Sequence, residues 1–264
     1  FKSLPEYLMK IAVLIKQVPG SESPLPLNND QRWLDEAQVT YSMNPPDNYA
    51  LEEALLIKEK IGEGEVVAVS MGPERVGKVI REGLAKGADR GIHLKEDGQI
   101  ETDPLSIAKS FASVLKDENF SLVLSGLQSD DTGMGQTGIL IGELLGMATA
   151  TLVVETEILN EQIRVKRELE SGWFQWVNLP LPSSISIQSG LNTPRYPSLK
   201  GIMGAKKKEI RVIPETEHQT VKRAQTIDQV FVPQTTKKTE VIEGNSDTVV
   251  ARIIEILKSD VKVL

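Results

Sequence analysis

Short apolar runs and helical stripes alternate along the first half of the chain. Lys10 to Lys16 is rich in β-favouring residues and stops at Pro19 and Gly20, which predicts a buried strand. After a polar loop, Asn44, Pro45, Pro46 and Asp47 predict a turn with Asp47 as a helix cap. Leu51, Leu55 and Ile57 follow at helical spacing beside Glu52 and Glu53. Glu65 to Met71 predicts a second strand running into Gly72 and Pro73. Val76, Val79, Ile80 and Leu84 form the stripe of the next helix, with Lys86 and Gly87 suited to its C-terminal end. Gly91 to Leu94 is a third strand, Asp103 and Pro104 open a helix running through Leu115, and Phe120 to Leu127 is a fourth strand.

This alternation predicts an α/β fold: a mostly parallel, Rossmann-like sheet with helices on both faces, because parallel neighbours need crossover connections. Ligands of such sheets bind at the C-terminal ends of the strands. Beyond Ala148 the pattern changes. Thr151 to Leu159, Ile163 to Leu169, Trp173 to Val177 and Ser183 to Gln188 read as successive strands with no helix between them, an antiparallel addition to the sheet. Pro214 to Gly244 is polar and aperiodic, and Val249, Val250, Ile253, Ile254 and Leu257 then mark one amphipathic helix. The expected division is an extension over residues 1–8, a nucleotide-binding domain over 9–213 and a C-terminal arm with its helix over 214–264.

Composition narrows the chemistry. The 264 residues are 40% hydrophobic, enough for a substantial core. With no cysteine and only His93 and His218, thiol nucleophiles, disulfides and thiolate or histidine metal centres drop out, and no metal site is expected. A net charge of −7 argues against general nucleic-acid binding. No apolar stretch approaches the roughly 20 residues of a membrane span, since Ile139 to Val153 is broken by Glu143 and two glycines, so the chain is expected not to be membrane-embedded.

The stretch from Ser125 to Gly138 carries the most chemistry, because it joins a strand to a helix with several glycines. Backbone amides can approach a ligand closely there, and a helix N-terminus offers unpaired N–H groups to a phosphate. Gly133, Gly135 and Gly138 also fit Gly-x-Gly-x-x-Gly, with Glu155 placed like the acidic ribose ligand of a nicotinamide enzyme. That fingerprint belongs after the first strand, however, and here it follows the fourth. A flexible glycine loop, a stand-alone nicotinamide enzyme and a nucleotide-sensing module stay open on these residues alone.

Several motifs in order give a more specific reading. Ser42-Met43-Asn44-Pro45, Glu52-Glu53-Ala54, Val67-Ala68-Val69-Ser70 with Gly72-Pro73, and Gly87-Ala88-Asp89-Arg90-Gly91-Ile92-His93 are followed by Gly126 to Gly138. Asn192-x-Pro194-Arg195-Tyr196-x-x-Leu199-x-x-Ile202-Met203-x-Ala205-Lys206-Lys207-Lys208 comes last. In these the chain resembles the β-subunit family of electron transfer flavoproteins, from Met9 to at least Lys208. The resemblance implies a fold of the adenine nucleotide alpha hydrolase type without hydrolase activity, an AMP in this subunit, and a catalytic FAD held mainly by an α subunit. It implies no catalytic residue in this chain, which would be an electron carrier and not an enzyme. Electrons would come from dehydrogenases and leave to a quinone oxidoreductase or similar acceptor. The compartment implied is cytoplasmic, or the mitochondrial matrix in a eukaryote.

Carried over by position, the nucleotide contacts fall at Leu14, at Asn44, Pro45, Pro46 and Asp47, and at Met71. The rest fall on the glycine loop, at Gly126, Leu127, Gln128, Ser129, Asp130 and Asp131, then Thr132, Gly133, Met134, Gly135, Gln136 and Thr137. The resemblance further implies that Pro194, Arg195, Tyr196, Leu199, Ile202 and Met203 form a docking loop for dehydrogenases, with Leu199 as its anchor. Glu168 would help to position the flavin domain, and the arm and last helix would dock onto the α subunit. Thr132 and Gly133 replace acidic residues of typical members. Electron-bifurcating members bind a second FAD in place of AMP; Lys16-Gln17-Val18-Pro19 is similar to theirs, whereas Gln136-Thr137-Gly138 matches the AMP type. An aromatic expected near Ser21 is missing.

Other conspicuous residues read more plainly. His93, in a strand, is expected to be a packed structural histidine. Trp173 and Trp176 are spaced so that a strand would not put them on one face, and a core or interface position is expected. Lys206 to Lys208 reads as a solvated basic run before the strand Glu209 to Ile213.

Overall fold

The computed structural model describes residues 9–96, 103–218, 224–233 and 239–263. The expected N-terminal extension before Met9 lies outside these residues. They fall into two compact units, one ending at Val230 and one beginning at Phe231. In the first unit the elements run β1 (Lys10–Leu14), β2 (Gln17–Pro19), β3 (Tyr41–Met43), α1 (Pro45–Ile61), β4 (Glu65–Gly72), α2 (Gly77–Lys86), β5 (Arg90–Lys95) and α3 (Pro104–Leu115). They continue with β6 (Leu122–Gly126), α4 (Thr137–Leu144), β7 (Ala148–Leu159), β8 (Gln162–Glu168), β9 (Phe174–Pro180), β10 (Ser183–Ile187), α5 (Leu199–Ala205) and β11 (Ile210–Ile213).

Strict alternation in the central strands separates two apolar layers. Ile11 and Val13 of β1 and Ala68 of β4 face α1 and α2, meeting Leu51, Leu55, Ile80 and Leu84. Ala12 and Leu14 of β1 and Val67 and Val69 of β4 face the other way, onto Phe111 and Leu115 of α3 and Ile141 of α4. Burying a leucine or isoleucine from water is worth about 1.5–3 kcal/mol, so each layer can hold its helices on the sheet.

Among the described residues the main sheet has nine strands in the order β11-β5-β4-β1-β6-β10-β7-β8-β9. From β11 to β7 all neighbours are parallel. From β1 the chain steps through β4 to β5 on one side, then returns to place β6 on the other side of β1. Such a reversal opens a crevice at the strand ends. The antiparallel addition consists of β7, β8 and β9. Ser183 to Gln188 departs from the sequence reading, because β10 inserts parallel between β6 and β7 and all five of its residues are buried. Two of its serines bond within the packed layer: the Ser184 hydroxyl donates to the Gly138 carbonyl at 2.8 Å and the Ser183 hydroxyl to the Pro180 carbonyl at 2.6 Å. The polar stretch after β1 also holds structure that periodicity did not reveal, since β2 and β3 pair as a small antiparallel sheet.

In the second unit, α6 (Ser246–Ser259) is capped by Asn245, whose side chain accepts from the Thr248 amide at 3.0 Å. Arg252 pairs with Glu240 at 3.0 Å and with Glu255 at 2.9 Å. No residue of this helix is buried, and Val250, Ile253 and Ile254 are exposed. Among the described residues no helix is long and apolar enough to cross a membrane.

Candidate nucleotide site

A cavity of about 170 Å³ lies where β1, β4 and β6 end, and the starts of α1 and α4 close its sides. Leu14 enters from β1 with Lys16 just beyond it, Met71 and Gly72 from β4, and Ser125 and Gly126 from β6, followed by the loop from Leu127 to Gly138. Asn44 organises this loop: its side-chain amide donates to the Gln128 carbonyl at 3.0 Å, and its oxygen accepts from the Asp130 amide at 3.1 Å. Gly135 sits at φ +63°, a conformation disfavoured for other residues, and turns the chain into α4. Helix α4 begins without a side-chain cap. Thr137 and Gly138 of its first turn line the cavity, which is the arrangement that binds a phosphate.

The two aspartates of the loop, Asp130 and Asp131, stand outside the cavity lining. Asp131 receives the Lys16 ammonium at 2.7 Å and the Thr132 amide at 2.7 Å. Burial opposes its ionisation, yet the Lys16 charge and these hydrogen bonds outweigh that and hold the carboxyl below its ordinary value. Lys16 also donates to the hydroxyls of Ser129 at 3.2 Å and Thr132 at 3.3 Å, so one cation just beyond β1 ties Ser129, Asp131 and Thr132 together. Asp130 is exposed.

Asp47 differs from the helix cap expected of it. Asn44 is the cap residue of α1, and Asp47 lies in the first turn, 5% exposed. Its carboxylate accepts from the Lys16 amide at 2.7 Å and from the Gly126 amide at 3.0 Å, linking the ends of β1 and β6. Burial pushes its carboxyl up to about 7, against the pull of these amides and of Asn44.

Of the expected nucleotide contacts, Leu14, Asn44, Asp47, Met71, Gly126, Leu127, Gln128, Ser129, Thr132, Met134, Gly135, Gln136 and Thr137 line the cavity. Pro45, Pro46, Asp130, Asp131 and Gly133 do not. Pro46 packs behind Gly126, and Asp131 acts through Lys16. The sequence reading missed Lys16 as a site residue, along with Gln17, Arg75, Glu96 and the apolar wall of Pro104, Ile107 and Phe111. Arg75 stacks on Tyr41 at 3.8 Å and bonds Gln17 at 2.5 Å and Glu36 at 3.2 Å. The similarity of Lys16-Gln17-Val18-Pro19 to electron-bifurcating members was the available signal. The α3 wall left none, because its residues read as ordinary core.

The expected docking loop divides into a fixed root and an exposed tip. Arg195 bonds the buried Glu52 at 2.9 Å and Glu59 at 2.6 Å, while Asn192 donates to Glu53 at 3.0 Å. At the tip, Tyr196 is 93% and Leu199 84% exposed, with Ile202 and Met203 also exposed. Leu199 is thus not a core residue. Pro194 is half-buried.

Glu168, at the end of β8, accepts from the Gln188 side chain at 3.0 Å. His93 is buried, with Nε2 2.8 Å from the Gly72 carbonyl, as expected of a structural histidine. Trp173, outside β9, and Trp176, within it, are both exposed; the guanidinium of Arg164 lies 4.4 Å from the Trp176 ring. Lys206 and Lys207 are solvated, but Lys208 is not: its ammonium donates to the carbonyls of Leu84 at 3.1 Å and Ala88 at 2.5 Å, beside the C-terminal end of α2. No His, Cys, Asp and Glu cluster able to hold a metal is found among the described residues.

Fold and crevice together define a doubly wound α/β protein with a glycine-containing loop lining a cavity at its switch point. The family described as "Electron transfer flavoprotein domain" matches residues 32–218. A protein of Methylophilus methylotrophus named "Electron transfer flavoprotein subunit beta" is 34% identical over 259 residues, covering 94% of this chain and 98% of the relative. Its namesake in Bacillus subtilis is 32% identical over 262 residues, 97% of this chain and 100% of the relative. One of the same name in Bradyrhizobium diazoefficiens is 41% identical over 202 residues, 76% and 80% respectively. The chain belongs to the electron transfer flavoprotein family, on its β-subunit branch.

Proposed function

We propose that this chain is the β half of a two-subunit electron carrier, with an AMP in the crevice and FAD held mainly by an α subunit. The observation that carries the nucleotide is the uncapped start of α4 facing a crevice at the switch point, beneath a loop shaped by Asn44 and Lys16. The residues present fit the group. The amides of the loop and of the first turn of α4 would hold the phosphate, and Leu14, Met71 and the α3 wall offer apolar surface to a base. FAD, when bound, supplies the redox chemistry, and this chain supplies position and electrostatics. Electrons come from dehydrogenases and pass to a quinone oxidoreductase or similar acceptor. The exposed tip around Leu199 is the docking surface for the dehydrogenases, and the fixed root at Arg195 lowers its ordering cost. Glu168 helps to position the flavin domain, and α6 with the segment before it docks on the α subunit.

A second reading places another FAD in the crevice, as in electron-bifurcating members. The similarity of Lys16-Gln17-Val18-Pro19 to those members favours it. Chromatography of the nucleotides released on denaturing the co-expressed αβ complex separates the two. One AMP and one FAD per pair support the first, two FAD support the second, and FAD alone at one per pair contradicts both.

A further inference from the structure

We propose that Asp47 is a proton-linked positioning residue, and that nucleotide binding in the crevice is accompanied by uptake of a proton on its carboxylate. This rests on the reading of the crevice as a nucleotide site. Asp47 spans the switch point itself, because its two oxygens take the amides of Lys16 and Gly126 at the ends of the two strands from which the chain diverges. It also lines the cavity while being almost wholly withdrawn from water.

A phosphate entering this crevice brings a second anion beside a buried carboxylate, and two such charges in a poorly solvated site raise the proton affinity of the weaker acid. The surrounding cations are already engaged. Lys16 is paired with Asp131 at 2.7 Å, and Arg75, from the turn after β4, with Glu36 at 3.2 Å. Glu96, beyond β5, adds another acid to the lining, whereas β6 contributes only Ser125 and Gly126 there. Burial has already brought Asp47 up to about 7, so the proton is cheaply gained at neutral pH. Protonation also changes what the site can donate. A neutral carboxyl keeps one oxygen as a full acceptor and the other as a weaker one, so one of the two strand-end amide bonds weakens, and its O–H becomes a donor. The proton comes from solvent, and no other bond is made or broken.

The test is calorimetry of AMP binding to the αβ complex stripped of its nucleotide, in two buffers of different ionisation enthalpy at neutral pH. Wild type should take up a fraction of a proton, up to about one, in excess of Asp47→Asn. Its affinity should fall by up to about tenfold per pH unit above neutrality, where the variant's should not. Subtracting the variant removes the titration of the AMP phosphate. Infrared difference spectroscopy of wild type should show a protonated-carboxyl band growing on AMP addition, and this decides the matter alone if Asp47→Asn fails to assemble. Binding with equal proton exchange in both proteins, or without the band, overturns the inference and leaves the nucleotide reading intact. A stripped complex that does not bind AMP overturns the AMP reading, and the inference with it.

Discussion

Replacing Arg195 by alanine should loosen the loop that carries Leu199 without touching its tip. Wild-type Arg195 gives three side-chain hydrogen bonds to Glu52, at 3.1, 2.9 and 2.9 Å, and two to Glu59, at 2.6 and 3.1 Å. The Glu52 side chain is only 6% exposed, so the variant leaves a carboxylate inside the fold with the Arg195 backbone amide as its remaining partner from the loop. Stranding a buried charge costs about 3–5 kcal/mol. The arginine is itself 32% exposed and the Glu59 arm lies in solvent, so solvent screening brings the expected loss to about 2–3 kcal/mol. Denaturant unfolding of wild type, Arg195→Ala, Glu52→Gln and the double variant measures the coupling, expected at about 1–3 kcal/mol. Hydrogen exchange over residues 192–205 should accelerate in the same variants. Additive single effects, or a loss below about 0.5 kcal/mol, would refute the clamp.

Leu199→Ala should leave folding and nucleotide content unchanged, because the side chain is 84% exposed. Electron transfer from a cognate dehydrogenase should slow about tenfold or more, as expected for losing an anchor worth over about 1.4 kcal/mol; an unchanged rate places docking elsewhere. Gly138→Ala would put a Cβ 2.5 Å from the Ser125 hydroxyl, so that hydroxyl must rotate or α4 give way; a stability loss of up to about 1–3 kcal/mol and weaker nucleotide retention should follow, measurable by thermal unfolding and dialysis. Since Asp47 rises from 3.8 to about 7 on folding, the folded state binds its proton more tightly than the unfolded chain does. Its contribution to stability is therefore complete below about pH 4 and declines as pH climbs through 7, and Asp47→Asn should flatten that part of the stability–pH profile.

The doubly wound core was legible because its strands and helices keep clean periods. Val13 and Ala68 alternate with Ala12 and Val67, and Asp103-Pro104 opens α3 as a cap and proline should: the Asp103 carboxylate accepts from the Leu105 amide at 3.0 Å. The parallel insertion of β10 was not legible, since Ser183-Ser184-Ile185-Ser186-Ile187 alternates like a strand with one wet face. Packing against α4 explains Ser184, whose hydroxyl donates to the Gly138 carbonyl. Asp47 lines the cavity, but the helix-cap task expected of it belongs to Asn44. A carboxylate at a helix start predicts a cap, and nothing local reveals that β6, far along the chain, supplies an amide to it. The same distance hid Lys16 and the α3 wall, whose roles exist only once separate elements meet.

A crystal structure of the αβ complex, purified with its own nucleotide, tests the central claim most directly. The account predicts density for an adenine nucleotide in the crevice of this chain, its phosphate at the amides between Gly126 and Gly138 and the start of α4. A nucleotide-free crevice in a complex that carries its full FAD elsewhere would contradict it.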